Sequence, residues 1–226
     1  MIDYQLTRCK RKTVAIQITD TAEVLVKAPR QLPLADIEGF ILKKSAWIES
    51  TRQRVLQEQQ KKVAFDPIAS GKLCFLGRDY PIVLGTRTAF DGVSFTVKSG
   101  SFDREKEGLI LLYKKLAKEV IDERVSHYAN IMGVHPTSVK ITSAKTRWGS
   151  CSGKDGLCFT WKLILADLTA VDYVVVHELS HIKEHNHSPR FWRIVERALP
   201  DYRERQKQLK ELQKVLNCQN WEPCAK

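Results

Sequence analysis

His177-Glu178-Leu179-Ser180-His181, followed six residues later by His187, decides how this chain is read. On a helix, the HExxH spacing sets two imidazoles one turn apart on one face, where both reach the same Zn²⁺. The glutamate between them sits beside the ion, placed to take a proton from its bound water. The preceding run, Val171-Asp172-Tyr173-Val174-Val175-Val176, is apolar nearly all round, so the helix is expected to be buried. Buried histidines and a buried carboxylate need partners, and a metal supplies one. The stretch implies a zinc hydrolase with one zinc per chain, His177 and His181 as ligands and Glu178 as the catalytic carboxylate.

Two histidines compete for the third ligand position. His185 lies on the same stripe as His177 and His181 if the helix continues. A rise of about 1.5 Å per residue then puts His177 and His185 about 12 Å apart along the axis. Zn–N bonds of about 2.0–2.1 Å cannot close that gap. The third ligand must return from beyond a helix break. Asn186 suits a left-handed C-cap, and Ser188-Pro189 suits the start of a new helix. His187 lies in that break and is the expected ligand; His185 is read as solvated or as supporting the site from outside.

The chain has 226 residues, 43% of them hydrophobic, enough for a proper core. No apolar run is long enough to span a membrane. The opening Met1-Ile2-Asp3-Tyr4-Gln5-Leu6-Thr7-Arg8 lacks the apolar region of a signal peptide, so a cytoplasmic protein is expected. Six cysteines fit that compartment as free thiols. Cys151 and Cys158, and Cys218 and Cys224, are spaced too widely for a cysteine zinc knuckle. The net charge of +11 fits either a lysine-rich surface or attraction for an anionic partner.

The first part of the chain reads as strands. Tyr4 to Arg8, Thr13 to Thr19 and Ala22 to Ala28 alternate apolar and polar residues, with Asp20-Thr21 as a hairpin-short link. A helix is expected from about Leu34 to Gln60. Strands follow near 72–76, 80–84 and 93–97, then a second long helix from about Arg104 to Met132, capped by Gly133. The second part begins with strands at 138–143 and 157–161. The metal helix is expected from near Asp167 or Thr169 to about Asn186, with helices over 189–199 and 200–216 after it. This pattern gives a strand-rich part over 1–110, a metal-bearing part over 111–216 and a loose tail over 217–226. No Gly/Pro/Ser-rich stretch separates the parts, so one continuous unit is expected. The fold class is α+β.

A second constellation precedes the metal helix. In Thr146-Arg147-Trp148-Gly149-Ser150-Cys151-Ser152, glycine and small residues stand beside an arginine and a tryptophan. This reads as a loop that approaches something closely, and so as a cleft wall. Taken alone, the segment reads better as a plain turn with Trp148 in the core; its place before the metal helix makes it a candidate cleft wall. Lys145 and Arg147 are placed to hold an anionic group or developing negative charge. Cys151 as a nucleophile lacks a histidine nearby in sequence.

The segments Lys145 to Ser152, Trp161-Lys162-Leu163-Ile164-Leu165-Ala166, Tyr173 to His181, Asn186-His187-Ser188 and Phe191-Trp192 together resemble the YgjP-like metallopeptidase family. The likeness runs essentially the full length. It implies a zincin-like core, a small sheet packed on the HExxH helix, related to the peptidase domains of SprT-like proteins. It implies zinc on His177, His181 and His187 with Glu178 as catalytic carboxylate. The alanine common in the family's HELAH is Ser180 here. Proteins similar to this one have been associated with hydrolysis of nucleoside triphosphates, UTP in particular.

Three functions follow as expectations. The leading one is a UTP pyrophosphatase, in which Lys145, Arg147 and Lys162 neutralise the triphosphate and Trp148 stacks on the base. The alternative is a zinc metallopeptidase, with Trp148 lining a side-chain pocket. The third is a DNA-associated, non-catalytic adaptor, for which no DNA-reading motif is present. Converging basic side chains around the metal favour phosphate; an open sheet edge beside it favours an extended peptide.

Overall fold

The computed structural model describes residues 2–221. These form two compact units, one of residues 2–65 with 217–220, the other of 66–216 with Trp221. The division falls at 65/66, whereas the sequence suggested a change of character near 110/111. The strands after residue 70 belong with the metal-bearing part because they bond to it directly. The Tyr113 hydroxyl donates to the Cys74 carbonyl at 2.8 Å, and the Leu76 amide donates to the Ile164 carbonyl at 2.8 Å.

The first unit holds β1 (Gln5–Cys9), β2 (Ala15–Ile18) and β3 (Val24–Pro29), followed by α1 (Leu34–Lys43) and α2 (Ser45–Ala64). The sheet order is β1-β3-β2, with β1 parallel and β2 antiparallel to β3. Val24, Val26 and Ala28 alternate inward along β3 and meet Ile37, Ile41 and Ile48 of the helices. The single helix expected over 34–60 is two helices, broken at Lys44, whose backbone lies at φ −104° and ψ 6°. Lysine is a good helix former, so nothing local announces that break.

In the second unit, α3 (Pro67–Ser70), β4 (Lys72–Phe75), β5 (Arg78–Gly85), β6 (Ala89–Phe90) and β7 (Phe95–Lys98) come first. These strands form a sheet of order β4-β5-β7-β6. Next come α4 (Phe102–Met132), β8 (Ser138–Thr142), β9 (Gly149–Cys151) and β10 (Gly156–Thr160). A 3₁₀ turn over Trp161–Leu165 precedes α5 (Leu168–Lys183), α6 (Pro189–Ala198) and α7 (Tyr202–Asn217). The segment expected as a loop over 146–152 thus contains a short strand. The second sheet has the order β8-β10-β9, β8 parallel and β9 antiparallel to β10.

Leu109, Tyr113, Ala117, Ile121 and Val125 recur every four residues and bury one face of α4. Helix α5 lies against α4, β9 and α6. Its start is fixed twice. The Asp167 carboxylate accepts the Ala170 amide at 2.9 Å as an N-cap. The tight β4–β5 turn places Gly77 against Asp167, at a φ of 73° that glycine adopts without strain. One turn on, buried Asp172 accepts both ends of the Arg124 fork at 2.6 and 3.0 Å and the Tyr128 hydroxyl at 3.0 Å. This holds the roll of α5 against α4, and with it the face its histidines present.

Trp221 is 4% exposed, packed among Phe102, Tyr113 and Trp161. The expectation of a loose chain after Asn217 therefore does not hold at Trp221, because an indole gains much by burial. Residues 222–226 of that tail lie outside the described residues. Cys9, Cys74, Cys151, Cys158 and Cys218 are unpaired thiols. Among the described residues, no helix is long and apolar enough to cross a membrane.

Candidate metal centre

His177 and His181 project from α5 one turn apart, with ring centroids 5.1 Å from each other. The helix ends at Lys183, and Glu184 leaves it at φ −148° and ψ 106°. Three residues earlier than expected, this break leaves room for a tight reversal, in which the Ser188 amide donates to the Asn186 carbonyl at 2.7 Å. Ser188 then caps α6 by accepting the Phe191 amide, with Pro189 in the first turn. The reversal swings His187 back onto α5. Its Nε2 stands 3.0 Å from His177 Nε2, and its ring lies 4.7 Å from His181. One nitrogen from each of His177, His181 and His187 falls within 4.8 Å of the others. His185 lies exposed and outside this cluster.

The donor set fits a metal ion. Tetrahedral coordination at about 2.0–2.1 Å separates ligand nitrogens by about 3.3 Å, close to the spacing found. His177 Nδ1 is buried with no hydrogen-bond partner, while its Nε2 faces another imidazole nitrogen. Two imidazole nitrogens that close together share one place for a positive centre, and a cation between the Nε2 atoms fills it; Nδ1 stays without a partner either way. Burial, with His181 and His187 nearby, drives His177 down to about 3, and burial lowers His181 as well. Neutral imidazoles keep the lone pairs that ligation requires. His181 Nδ1 lies 3.2 Å from the Glu184 carbonyl, an acceptor that fixes a tautomer with Nε2 free for the metal. Phe191 and Trp192 wall the imidazoles, with centroids 4.6 Å from His181 and 5.8 Å from His187 respectively. Ser180 donates its hydroxyl to the Val176 carbonyl at 2.7 Å, so its polar group is satisfied within the buried helix.

Glu178 is 5% exposed and lies under β9. A Cβ at Gly149 would stand 2.7 Å from Glu178 Cγ and Oε1. Only glycine lets strand and carboxylate approach this closely. Burial raises Glu178 to about 7, against the opposing pull of Arg147. Cys151, on the same strand, is pushed up to about 11 by burial, then by Glu178 and Asp155. It is a protonated thiol at neutral pH, which removes the nucleophile role.

A cleft of about 330 Å³ opens beside these residues, lined by Trp148, Gly149, Tyr173, Val174, His177, Glu178, Gln206, Leu209, Lys210 and Gln213. Of the four substrate residues expected from sequence, Trp148 lines it. Arg147 is exposed and acts on Glu178 through its charge. Lys145 is exposed, and Lys162 lies over the Trp161 ring at 5.9 Å; neither lines the cleft. Sequence reading missed Tyr173 and the α7 wall. Gln206, Leu209, Lys210 and Gln213 do share one helical face, but only the fold shows what that face meets.

A family model described as YgjP-like, metallopeptidase domain matches residues 12–212. The chain belongs to this family. Its α+β fold is accordingly zincin-like, and the family implies a metal-dependent hydrolase with a divalent ion at the histidine triad. Two solved structures show partial similarity. One is the metallopeptidase zymogen abylysin of Pyrococcus abyssi, at 24% identity over 40% of this chain and 92% of that one, with a TM-score of 0.38. The other is the metallopeptidase zymogen jannalysin of Methanocaldococcus jannaschii, at 22% identity over 42% and 96%, with a TM-score of 0.36. No curated protein matches the YgjP-like chain.

Proposed function

We propose that the YgjP-like chain is a zinc peptidase that binds its substrate as an added strand along β9. The observation that carries this reading is the open edge of that strand beside Glu178. Trp148 accepts from the Thr160 amide at 2.9 Å, and the Ser152 amide donates to Gly156 at 2.9 Å. The alternation of an antiparallel ladder then turns the amides and carbonyls of Gly149 and Cys151 away from β10. β9 is the last strand of its sheet among the described residues. An extended peptide gains main-chain hydrogen bonds there and lies across Glu178.

Zinc on His177, His181 and His187 would supply a Lewis acid and an acidified water. Burial raises Glu178 in the metal-free protein, and its place beside the histidines suits it to receive a proton from the attacking water and return it to the leaving amine. Gly149 and Cys151 orient the peptide main chain, and Trp148, Tyr173 and Leu209 form an apolar wall for a side chain. The unpaired thiols agree with a reducing, cytoplasmic setting.

A UTP pyrophosphatase is the second reading, favoured by the charge of Arg147 near Glu178. It is less well supported. A triphosphate needs several converging cations, and Lys210 is the basic residue in the cleft wall. The deciding experiment assays purified protein against a peptide library and a nucleoside triphosphate panel, with and without chelator. Chelator-sensitive peptide cleavage is expected, and Glu178→Gln is expected to keep its metal and lose turnover. Release of pyrophosphate from UTP with every peptide left intact would reject the peptidase reading.

A further inference from the structure

Helix α6 has two unlike faces. Phe191 and Val195 are buried, while Arg190, Arg193 and Arg197 recur at helical spacing on the exposed side. With Lys183 at the end of α5, these arginines line a cavity of about 620 Å³. Ile131 and Met132 of α4, with Ile194 and Ala198, give it an apolar floor. The Lys183 ammonium donates to the Met132 carbonyl, which holds its stem across that floor. Two carboxylates temper the cluster. Glu184 meets Arg190 at 3.7 Å, and Glu196 lines the cavity and also faces Arg203. The four lining cations, Lys183, Arg190, Arg193 and Arg197, stand against these two carboxylates, a surplus of two positive charges. A concave site with that surplus attracts an anionic partner.

We infer that this cavity is an exosite for an acidic stretch of polypeptide substrate that also carries apolar side chains. The inference rests on the peptidase reading. Arginine forks match carboxylates in pairs of parallel hydrogen bonds, and the Ile131–Met132 floor takes the apolar residues between them. Among the described residues no aromatic ring lines the cavity, so they offer none of the stacking platforms that hold single nucleic-acid strands. The cavity shares no lining residue with the cleft over Glu178, so it would act as a separate holding site. Lys183 and Arg190 flank, in the chain, the reversal that carries the third histidine.

The test uses the full chain with Glu178→Gln, so that peptides stay intact, and fluorescence anisotropy of a labelled peptide of alternating Glu and Leu. The matching Gln/Leu peptide and a labelled oligo-dT strand are the comparisons. The acidic peptide should bind about tenfold or more tightly than the neutral one, and the joint change Arg193→Glu and Arg197→Glu should erase that preference and flatten the salt dependence. The gentler pair Arg193→Gln and Arg197→Gln should weaken binding in the same direction, and circular dichroism checks that both fold. In a chain retaining Glu178, the same changes should leave cleavage of a short neutral peptide unaltered. Equal binding of both peptides, or acidic-peptide binding insensitive to the arginines, overturns the exosite while short-peptide cleavage upholds the peptidase. Tighter binding of oligo-dT at the same arginines overturns it in favour of a phosphate site. Arginine-dependent binding of the acidic peptide with no peptide cleaved upholds the cavity's ligand class and rejects the peptidase reading.

Discussion

Gly149→Ala separates the placement of Glu178 from everything else at the centre. The backbone at Gly149 lies outside the left-handed region, so an alanine there is not strained and the effect is purely steric. The new methyl would stand 2.7 Å from Cγ and Oε1 of Glu178 and 2.9 Å from Cδ. Ordinary contact needs roughly 3.5 Å or more, so carboxylate or strand must give by nearly 1 Å. A displacement of about 1 Å in a reacting group costs on the order of 100-fold in rate. Forcing a methyl into a packed contact also costs about 1–3 kcal/mol of stability. For a chain of this size that lowers the melting temperature by about 2–4 °C per kcal/mol. The three histidines lie elsewhere on α5 and beyond it, so zinc content should stay near one per chain. The assay is kcat on the best substrate of the screen, with metal content by plasma spectrometry and melting by circular dichroism. Full activity in the alanine variant would refute the steric argument, and loss of zinc would show that β9 supports the ligands rather than the glutamate.

His187→Ala should lose zinc affinity by orders of magnitude and His185→Ala should not, as titration with a competing chelator will show; equal losses would contradict the reversal after Glu184. Cys151→Pro removes an amide that faces away from β10, so the sheet should survive while the Michaelis constant for peptides rises several-fold; an unchanged constant would argue against strand addition. Acid stability of the metal-stripped protein tests the buried titrating groups. His177 is held near 3 and binds its proton more readily unfolded, so its contribution to stability is lost as pH falls from 6.5 toward 3. Glu178, raised to about 7, binds its proton more readily folded, so its contribution grows as pH falls from 7 toward 4.5. The two offset each other in large part between 6.5 and 4.5. Urea unfolding should therefore show acid loss mainly below about 4.5 in the parent and from about 6.5 in Glu178→Gln, and coincident onsets would mean that Glu178 is not buried as described.

The histidine triad was legible because its signals are local. Two histidines and a glutamate on one helix need only the helical repeat, and His187 follows once bond lengths exclude His185. The long apolar stripe of α4 and the alternation along β3 were equally plain. Other features depend on distant partners. Lys44 sits between two helices that a continuous pattern would join. Trp221 follows a polar helix and is buried only because Phe102, Tyr113 and Trp161 leave a place for it. The acidic-to-basic balance gave no warning that Lys162 would turn to the Trp161 ring and stay out of the cleft wall.

The choice of substrate turns on the least legible element of all. Gly149-Ser150-Cys151 has almost no intrinsic preference for a strand, and a glycine followed by small residues reads as a turn. It is extended because Leu157, Cys158 and Phe159 of β10 pair with it, and β10 is anchored in turn by parallel pairing to β8. The same three residues then do two things that a longer-chained segment could not. Their small side chains let the strand lie on α5 with Gly149 against Glu178, and their edge position leaves the main chain of Gly149 and Cys151 facing outward at the same level. A phosphate ligand has no use for an outward row of alternating amides and carbonyls, since the carbonyls repel it. An extended peptide matches both. That asymmetry, and not the count of basic residues in the sequence, is the physical reason for proposing a polypeptide rather than a nucleotide as the substrate.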